Sequence, residues 1–491
     1  MDAKDPADLE YSAEQMEAMG RAALARVVAH VASLPDQPIC GDVEVDDLCR
    51  AMREPVPEAG ADLETLLDRL YGEWIPRSFT ASAPGYMAYI PGGGLFPAGL
   101  ADLIADTANR FTGIWRAAPA LVQLEANVLA WFRAWMQFPE TAAGLLTPGG
   151  SMATFNAILC ARERHLGPDL RSGTAYVSDE VHHCVFKAAR LAGIMPDRVR
   201  RVPVDERFRM RVDALREAIA RDRAHGLRPF LVVGSAGTIN TGAVDPLDAL
   251  ADLAARERVW FHLDGAYGAF FHVCPELRPL LAGLPRADSL ALDPHKGLFL
   301  PYGTGALLVR DGAALRAVHA IDASYLPPPA TEDLYDPARH GPDLSRGFPG
   351  LRVWMCVKLF GAARLRAAIA EKRQLAVDAA RRIGALPAVR VLDPPALSLF
   401  AFHLRLPGAG AAAENAATRS LLDRVRARGK VMITGCEAGG RFVARVCVLS
   451  FRTRQAQVDT LVEHVAEETA AILQRERVGP GPRPRAAAAD R

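Results

Sequence analysis

The sequence predicts an α/β fold built on a mainly parallel sheet. Between about residues 85 and 322, short apolar runs alternate with stretches of helical periodicity. The apolar runs are TAYVS, PFLVVGS, VWFHLD, DSLALD and GALLVR, and DPLDALADLAARE is typical of the helical stretches. This alternation indicates strand–helix–strand units, which form parallel sheets covered by helices. Active sites of such folds lie at the carboxyl ends of the strands.

Other segments surround this large domain. Residues 1–84 are predicted to be a helical segment that either covers a partner subunit or packs on its own chain. The large domain spans 85–349 and includes a mobile lid at 323–346, because that stretch is rich in Pro, Asp and Gly and has no periodicity. Residues 350–478 are predicted to form a smaller α+β domain, and residues 479–491 are predicted to be a disordered tail.

The composition is consistent with an enzyme that acts on a small molecule. The 491 residues include 58 basic and 57 acidic side chains, a balance that predicts no nucleic-acid or membrane-surface partner. No apolar run approaches the ~20 residues of a membrane span, and the polar start lacks the pattern of a secretory signal. The eight cysteines are scattered without a CxxC pair. They predict reduced thiols and a cytoplasmic protein.

The segment TPGGSMATFNAILCAR predicts a phosphate cradle. Gly149, Gly150 and Ser151 precede a helical pattern, so backbone N–H groups and a hydroxyl lie at a helix N-terminus, where anions bind. An ordinary helix N-cap is the alternative interpretation of the same three residues.

Two further motifs follow predicted strands. In FHLDGAYG, Asp264 closes an apolar strand, and a buried carboxylate there needs a partner such as a pyridinium nitrogen. A turn aspartate and a metal site with His262 are the alternatives. In SLALDPHKGLFLPYG, Lys296 lies within an apolar stretch with His295 beside it. An imine with an aldehyde cofactor would satisfy this lysine, and a surface lysine is the alternative.

Two more motifs offer contacts to a flat ring. In YVSDEVHHCVFKAAR, His182 lies where a strand gives way to a helix, so its imidazole can stack on a heteroaromatic ring. A helix-start histidine and a metal pair with His183 are the alternatives. In SAGTINTGAVDPLDAL, Thr238 follows a strand and can hydrogen-bond a ring substituent.

Together these ordered motifs resemble the group II PLP-dependent decarboxylases, which include the aromatic-L-amino-acid, histidine and glutamate decarboxylases. The resemblance runs from about Tyr86 to Ile472 and is most specific in SDEVHH, AGTINTGAVDPL, FHLDGAYG and DPHKG. It implies the PLP-dependent transferase fold type I and a homodimer with the site at the subunit boundary. It also implies pyridoxal 5'-phosphate as cofactor, no metal ion, and conversion of an L-amino acid to its amine and carbon dioxide.

By this resemblance, Lys296 forms the imine with the cofactor, Asp264 pairs with its pyridine nitrogen, and His182 stacks on its ring. The remaining implied cofactor contacts are Gly150, Ser151, Thr238, Ala266 and His295.

The resemblance also implies residues on the substrate side. Arg445, in RFVARVCVLSFRT, matches the arginine at the substrate carboxylate, which a guanidinium binds well. Tyr325, in ASYLPPP, matches the lid tyrosine that protonates Cα after carbon dioxide leaves. Related aldehyde synthases replace that tyrosine, so its presence favours simple decarboxylation. The expected substrate contacts are Tyr89, Ile90 and Gly92.

Several positions depart from the family pattern. Asp293 stands where many relatives have asparagine, and its charge near a phosphate is unfavourable unless it points elsewhere or finds a cation. Gly297 replaces the usual tryptophan after the lysine. Ile90, Gly92 and Gly113 stand where aromatic decarboxylases carry larger or more polar groups, so we expect them to widen or reshape the substrate pocket.

Three other functions compete with decarboxylation. An aldehyde synthase or an aminotransferase would use the same cofactor. A metallohydrolase would use His182, His183, His262 and Asp264, although these lack a compact metal-binding spacing such as HExxH. A non-catalytic scaffold is the third alternative, and the retained Lys296, Asp264 and Tyr325 argue against it.

Overall fold

The structure is a computed structural model that describes residues 8–40, 45–320, 323–328, 331 and 333–478. Every statement below concerns those residues.

The N-terminal segment is helical. Its first helix begins at a capping box, in which the Ser12 hydroxyl accepts the N–H of Gln15 and the Gln15 side chain accepts the N–H of Ser12. None of the residues of that helix is fully buried within the described chain, and Arg26 joins it to Glu64 and Asp68 of the third helix. The three helices are α1 (Ala13–Ser33), α2 (Asp46–Ala51) and α3 (Leu63–Arg69).

A seven-stranded sheet forms the centre of the large domain, with strand order β1-β7-β6-β5-β4-β2-β3. Strands β2 to β6 pair in parallel, whereas β7 pairs antiparallel with both β1 and β6. This arrangement confirms the predicted α/β class and its mainly parallel sheet. The strands are β1 (Ala143–Thr147), β2 (Gly173–Ser178), β3 (Val199–Val202), β4 (Arg228–Ser235), β5 (Trp260–Asp264), β6 (Ser289–Leu292) and β7 (Gly305–Val309).

Helices cover both faces of this sheet. Strands β2, β6 and β7 are buried along their whole length, as expected when neither face meets solvent. The fully buried aromatic side chains of this core include Phe132, Phe230, Phe261, Phe270 and Phe271. Each contributes about 1.5–3 kcal/mol by leaving water. The helices are α4 (Phe96–Ala108), α5 (Pro119–Trp135), α6 (Gly150–His165), α7 (Cys184–Leu191), α8 (Val212–Ala224), α9 (Leu247–Glu257), α10 (Pro294–Gly297) and α11 (Gly312–His319).

A second, antiparallel sheet of four strands lies in the C-terminal part, in the order β10-β11-β9-β8. The long helix that precedes it is interrupted at Gly361, where φ is +74°. The elements are α12 (Pro349–Gly384), β8 (Val389–Val391), β9 (Leu399–Leu404), α13 (Ala411–Ala427), β10 (Thr434–Ala438), β11 (Arg441–Cys447) and α14 (Gln455–Val478). The predicted tail at 479–491 lies outside the described residues.

No helix in the described ranges combines the length and the apolar character that crossing a membrane would require. All eight cysteines are free thiols.

The segment predicted as a lid consists of two different parts. Residues 333–346 are docked on the large domain, where the Asp336 carboxylate accepts the Trp115 N–H and the Ala338 N–H donates to the Gly113 carbonyl. Tyr325 belongs to the other part and is 76% exposed.

A buried ion pair fastens the docked part to α5. The Arg346 guanidinium lies 2.7 Å from the Glu125 carboxylate, which is almost fully buried. Burial raises the pKa of Glu125, and Arg346 opposes that rise. We expect Arg346→Met to leave this carboxylate without a cation and to lower the free energy of unfolding by about 3–5 kcal/mol.

Chemical denaturation at neutral pH measures this effect. The control is Arg381→Ala, because Arg381 pairs with Asp378 at the surface and its loss should cost no more than about 1 kcal/mol. If the two variants lost the same amount of unfolding free energy, the stabilising role of the buried ion pair would be contradicted.

Candidate active site

A cavity of about 320 Å³ lies at the carboxyl ends of the central strands β4, β5 and β6. Ten of the residues predicted from the sequence line it, and they include every predicted cofactor contact. These ten are Tyr89, Ile90, Gly150, Ser151, His182, Thr238, Asp264, Ala266, His295 and Lys296. Residues separated by more than two hundred positions in the chain therefore meet here, because parallel strands end at the same edge of the sheet.

The phosphate cradle forms at the start of α6. A Cβ atom added at Gly150 would lie 2.9 Å from the Cβ of Ala266, closer than real Cβ atoms approach, and 3.2 Å from Oδ2 of Asp293, which is a tight contact. Glycine therefore keeps this space open. The first N–H groups of the 16-residue helix have no side-chain cap, so they are available to an anion. Gly149 occupies the N-cap position of this helix, so the predicted cradle and the helix N-cap are the same feature.

Asp264 ends β5 and faces the cavity. Its Oδ1 accepts the N–H of Ala266 at 3.1 Å, which fixes the orientation of the carboxylate. A carboxylate held this way at the floor of a cavity suits a protonated ring nitrogen.

His182 lies between β2 and α7, beside His183, with the two ring centroids 4.2 Å apart. Its Nδ1 accepts the N–H of Cys184, so the proton of the neutral ring is on Nε2. Burial lowers the pKa of His182, and the nearby Asp264 only partly offsets that effect. An uncharged imidazole at the cavity wall can stack on a flat ring.

Lys296 places its amine inside the cavity. Its Nζ lies 2.7 Å from Oδ2 of Asp293, so this buried carboxylate is paired with a cation. Burial tends to lower the pKa of Lys296, but the charge and hydrogen bond of Asp293, together with Asp264 and Cys184, outweigh burial, so the net pKa is raised. The neighbouring His295 donates from Nδ1 to the Thr304 carbonyl at 2.8 Å and turns its Nε2 toward Asp293, 3.6 Å away.

Three predicted residues do not line the cavity. Arg445 is buried on β11, where its guanidinium donates to the Thr434 hydroxyl at 2.8 Å and to the Tyr89 carbonyl at 3.1 Å. Its connection to the cavity is the hydrogen bond to Tyr89, which lines the cavity. The φ angle of Tyr89 is +51°, which is unusual for a residue other than glycine. Tyr325 is exposed to solvent.

Gly92 is the third predicted residue that does not line the cavity. We expected its small size to widen or reshape the substrate pocket, but the structure gives a different reason. A Cβ atom there would lie 1.9 Å from the carbonyl oxygen of His295, so the glycine allows two backbone segments to touch. Gly113 is similar, since a Cβ atom would lie 2.0 Å from the Leu344 carbonyl. Neither glycine adds space to the cavity.

The cavity also contains residues that the sequence motifs did not single out. Ile239 and Tyr267 lie within quoted motifs and follow a predicted contact by one position, so a closer reading of those motifs would have found them. Tyr302 lies six residues after Lys296, in the run LFLPYG. The lining residues without a predicted role are Cys184, Ser235, Gly237, Ile239, Tyr267 and Tyr302, and the cavity is completed by Gly149 of the predicted cradle and by Asp293.

The residues of the metallohydrolase alternative do not form a ligand set. His262 is fully buried, with Nδ1 2.9 Å from the Ser289 hydroxyl and Nε2 3.4 Å from that of Thr154. Burial lowers its pKa to about 4. Among the described residues, no three His, Cys, Asp or Glu side chains come together as metal ligands would.

Pyridoxal 5'-phosphate requires an amine for its aldehyde, an acid for its ring nitrogen and N–H groups for its phosphate. The cavity meets these requirements with Lys296, Asp264 and the start of α6. Fold and site thus define a pyridoxal-phosphate enzyme of fold type I. Residues 47–405 match the family model described as the pyridoxal-dependent decarboxylase conserved domain. The chain belongs to this family and is a PLP-dependent carboxy-lyase.

Known proteins similar to this chain extend over nearly its whole length. The aromatic-L-amino-acid decarboxylase of Bacillus atrophaeus is 33% identical over 468 residues, which cover 94% of this chain and 97% of that protein. The crystal structure of Oryza sativa TDC with PLP and tryptamine superposes with a TM-score of 0.90 at 27% identity, covering 96% of this chain and all of that one. The 4-hydroxyphenylacetaldehyde synthase of Rhodiola rosea shares the fold, with a TM-score of 0.87, 24% identity and coverages of 96% and 100%.

Proposed function

We propose that this chain decarboxylates an aromatic L-amino acid to the corresponding amine and carbon dioxide. The observation that carries the proposal is the Lys296 amine inside a cavity that also holds Asp264. The cavity walls Tyr89, Ile90 and Tyr302 offer apolar and aromatic surface to a flat side chain. Relatives named as aromatic-L-amino-acid and tryptophan decarboxylases support the same substrate class.

The residues of the cavity have separate roles. Lys296 would hold the aldehyde carbon of the cofactor, while Gly150 and Ser151 would hold its phosphate. When bound, the cofactor supplies a ring that accepts the electron pair of the breaking Cα–carboxylate bond. Asp264 would keep a proton on the pyridine nitrogen, and His182 would cover one face of the ring.

Arg445 remains our proposed partner for the substrate carboxylate. Its Nε has no hydrogen-bond partner among the described residues, although the group is deeply buried. Burial lowers the pKa of Arg445, which indicates that an anion nearby would be stabilising. Its hydrogen bond to the Tyr89 carbonyl connects it to a residue that lines the cavity.

We also propose a cytoplasmic homodimer. Helices α1 and α4 expose large apolar side chains, among them Leu24, Val28, Leu103 and Ile104. Apolar faces of this kind are typical of subunit interfaces. In such a dimer, Tyr325 would reach the cavity of the partner subunit, which accounts for its exposure here. Free thiols throughout the chain support a reducing compartment.

Replacing Tyr325 with phenylalanine is expected to slow amine formation by about a hundredfold or more, because Cα loses its proton donor. Aldehyde should appear in its place when the reaction runs in air. Quantifying amine, carbon dioxide and aldehyde from one reaction checks this result. Tyr11→Phe is the control, since Tyr11 is an exposed tyrosine outside the cavity. Amine release at the parent rate without aldehyde would refute the role of Tyr325.

A screen of L-amino acids for carbon dioxide release, with and without added pyridoxal phosphate, tests the proposed function. We expect at least one aromatic substrate to yield amine and carbon dioxide in equal amounts. Release confined to non-aromatic substrates would overturn the substrate class. Aldehyde or keto acid as the main product would instead favour an aldehyde synthase or an aminotransferase.

A further inference from the structure

Asp293 is a buried carboxylate whose role is not explained by the cofactor contacts above. It lies between β6 and α10 and is 1% exposed. Its Oδ2 accepts from Nζ of Lys296 at 2.7 Å, whereas its Oδ1 has no hydrogen-bond partner among the described residues. A carboxylate in such a place is stable only with a cation beside it.

Lys296 is that cation. The other titratable groups that face Asp293 or Lys296 are His182, Cys184, Asp264, His295, Tyr302 and Cys447. Burial lowers the pKa of both histidines and raises the pKa of the two thiols and the phenol, so these five are uncharged at neutral pH. Within this group Lys296 carries the positive charge, opposite the carboxylates Asp293 and Asp264.

Asp293 also borders the phosphate cradle. Its Oδ2 lies 3.2 Å from the position that a Cβ atom of Gly150 would take, at the first turn of α6. The same carboxylate therefore contacts the lysine and lies beside the start of α6, which would hold the phosphate. The amine of Lys296 has two competing partners, the carboxylate and the cofactor's aldehyde.

We propose that Asp293 is a positioning residue that holds Lys296 as an ammonium ion beside the cradle whenever Nζ is not joined to the cofactor. This inference rests on the proposed function, in which Lys296 forms that linkage. To form it, the ammonium first releases a proton to solvent. Nζ then attacks the aldehyde carbon, a C=N bond replaces the C=O bond, and the oxygen leaves as water with the two remaining amine hydrogens.

The carboxylate therefore restrains the lysine and sets the pH range in which it can react. An asparagine at position 293 keeps the shape of the side chain and removes its charge. Since Asp293 raises the pKa of Lys296, its removal should lower that pKa and increase the neutral fraction of the amine at any pH below it.

Reductive methylation of the full-length protein, freed of cofactor, tests this proposal. The parent and D293N are treated briefly with formaldehyde and cyanoborohydride over neutral to alkaline pH, and each lysine is quantified by mass spectrometry. At neutral pH, Lys296 should react at least about tenfold faster in D293N than in the parent. Lys358 and Lys430 are exposed and serve as internal controls that should not change. Identical profiles for Lys296 in the two proteins would overturn the proposal.

The parent protein provides a second test if D293N does not fold. In the parent, Lys296 should reach half of its maximal labelling rate at a higher pH than Lys358 does. The reverse order would overturn the proposal. These measurements use no cofactor, so they are independent of the proposed function, which fails instead if pyridoxal phosphate never becomes attached to Lys296.

Discussion

Lys296→Ala is expected to abolish decarboxylation, with kcat/KM at least about a thousandfold below that of the parent. The reason is that Lys296 forms the covalent link to the cofactor in our proposal. Lys296 is the lysine whose amine lies in the cavity, so its loss removes the group that holds the aldehyde and returns the cofactor after each turnover. Carbon dioxide release with saturating pyridoxal phosphate measures the effect.

Lys358→Ala is the matched control, because Lys358 is exposed on α12 and has no part in the cavity. It should retain the parent rate and the parent cofactor content. If Lys296→Ala kept substantial activity, another amine would have to hold the cofactor, and the assignment of the site would fail.

Asp264→Asn is expected to lower kcat by about a hundredfold to a thousandfold while Lys296 still holds the cofactor. An amide cannot keep a proton on the ring nitrogen as a carboxylate does, so the ring accepts electrons less well. The same reaction is assayed for carbon dioxide, and the protein is assayed for cofactor bound after borohydride reduction.

Asp311→Asn is the control for this change. Asp311 also follows a strand, β7, but it caps α11 outside the cavity, and asparagine caps helices equally well. A parent-like kcat in Asp264→Asn would contradict the pairing with the ring nitrogen. Loss of the cofactor itself would show that Asp264 acts in binding rather than in the chemistry.

The fold and the centre of the site could be predicted from the sequence because both depend on local patterns. Apolar runs that alternate with helical stretches define parallel strands, and parallel strands end at one edge. His182, Asp264 and Lys296 each lie at or just after the end of a predicted strand, so their convergence in one cavity followed from the topology. The family match supports pyridoxal phosphate as the cofactor of this cavity.

Contacts between distant backbone segments could not be predicted in this way. The identity of Gly92 suggested a wider pocket, but the residue is small because the His295 carbonyl lies against it. Such an approach depends on three-dimensional packing and leaves no periodic signal. The hydrogen bond from the Arg445 guanidinium to the Tyr89 carbonyl is another example, since it joins residues more than 350 positions apart.

The environment of Asp293 was only half predictable. Its charge was recognisably unfavourable near a phosphate, but the sequence could not show that Lys296, three positions later, folds back to within 2.7 Å. In our proposal, the position of Tyr325 at an active site depends on a second subunit.

The most direct test of the central claim is borohydride reduction of the purified protein, followed by peptide mapping. We predict a yellow protein that loses its colour on reduction and yields one pyridoxyl group on the peptide containing Lys296. A colourless protein that binds no added pyridoxal phosphate, or a pyridoxyl group found on a different lysine, would contradict it.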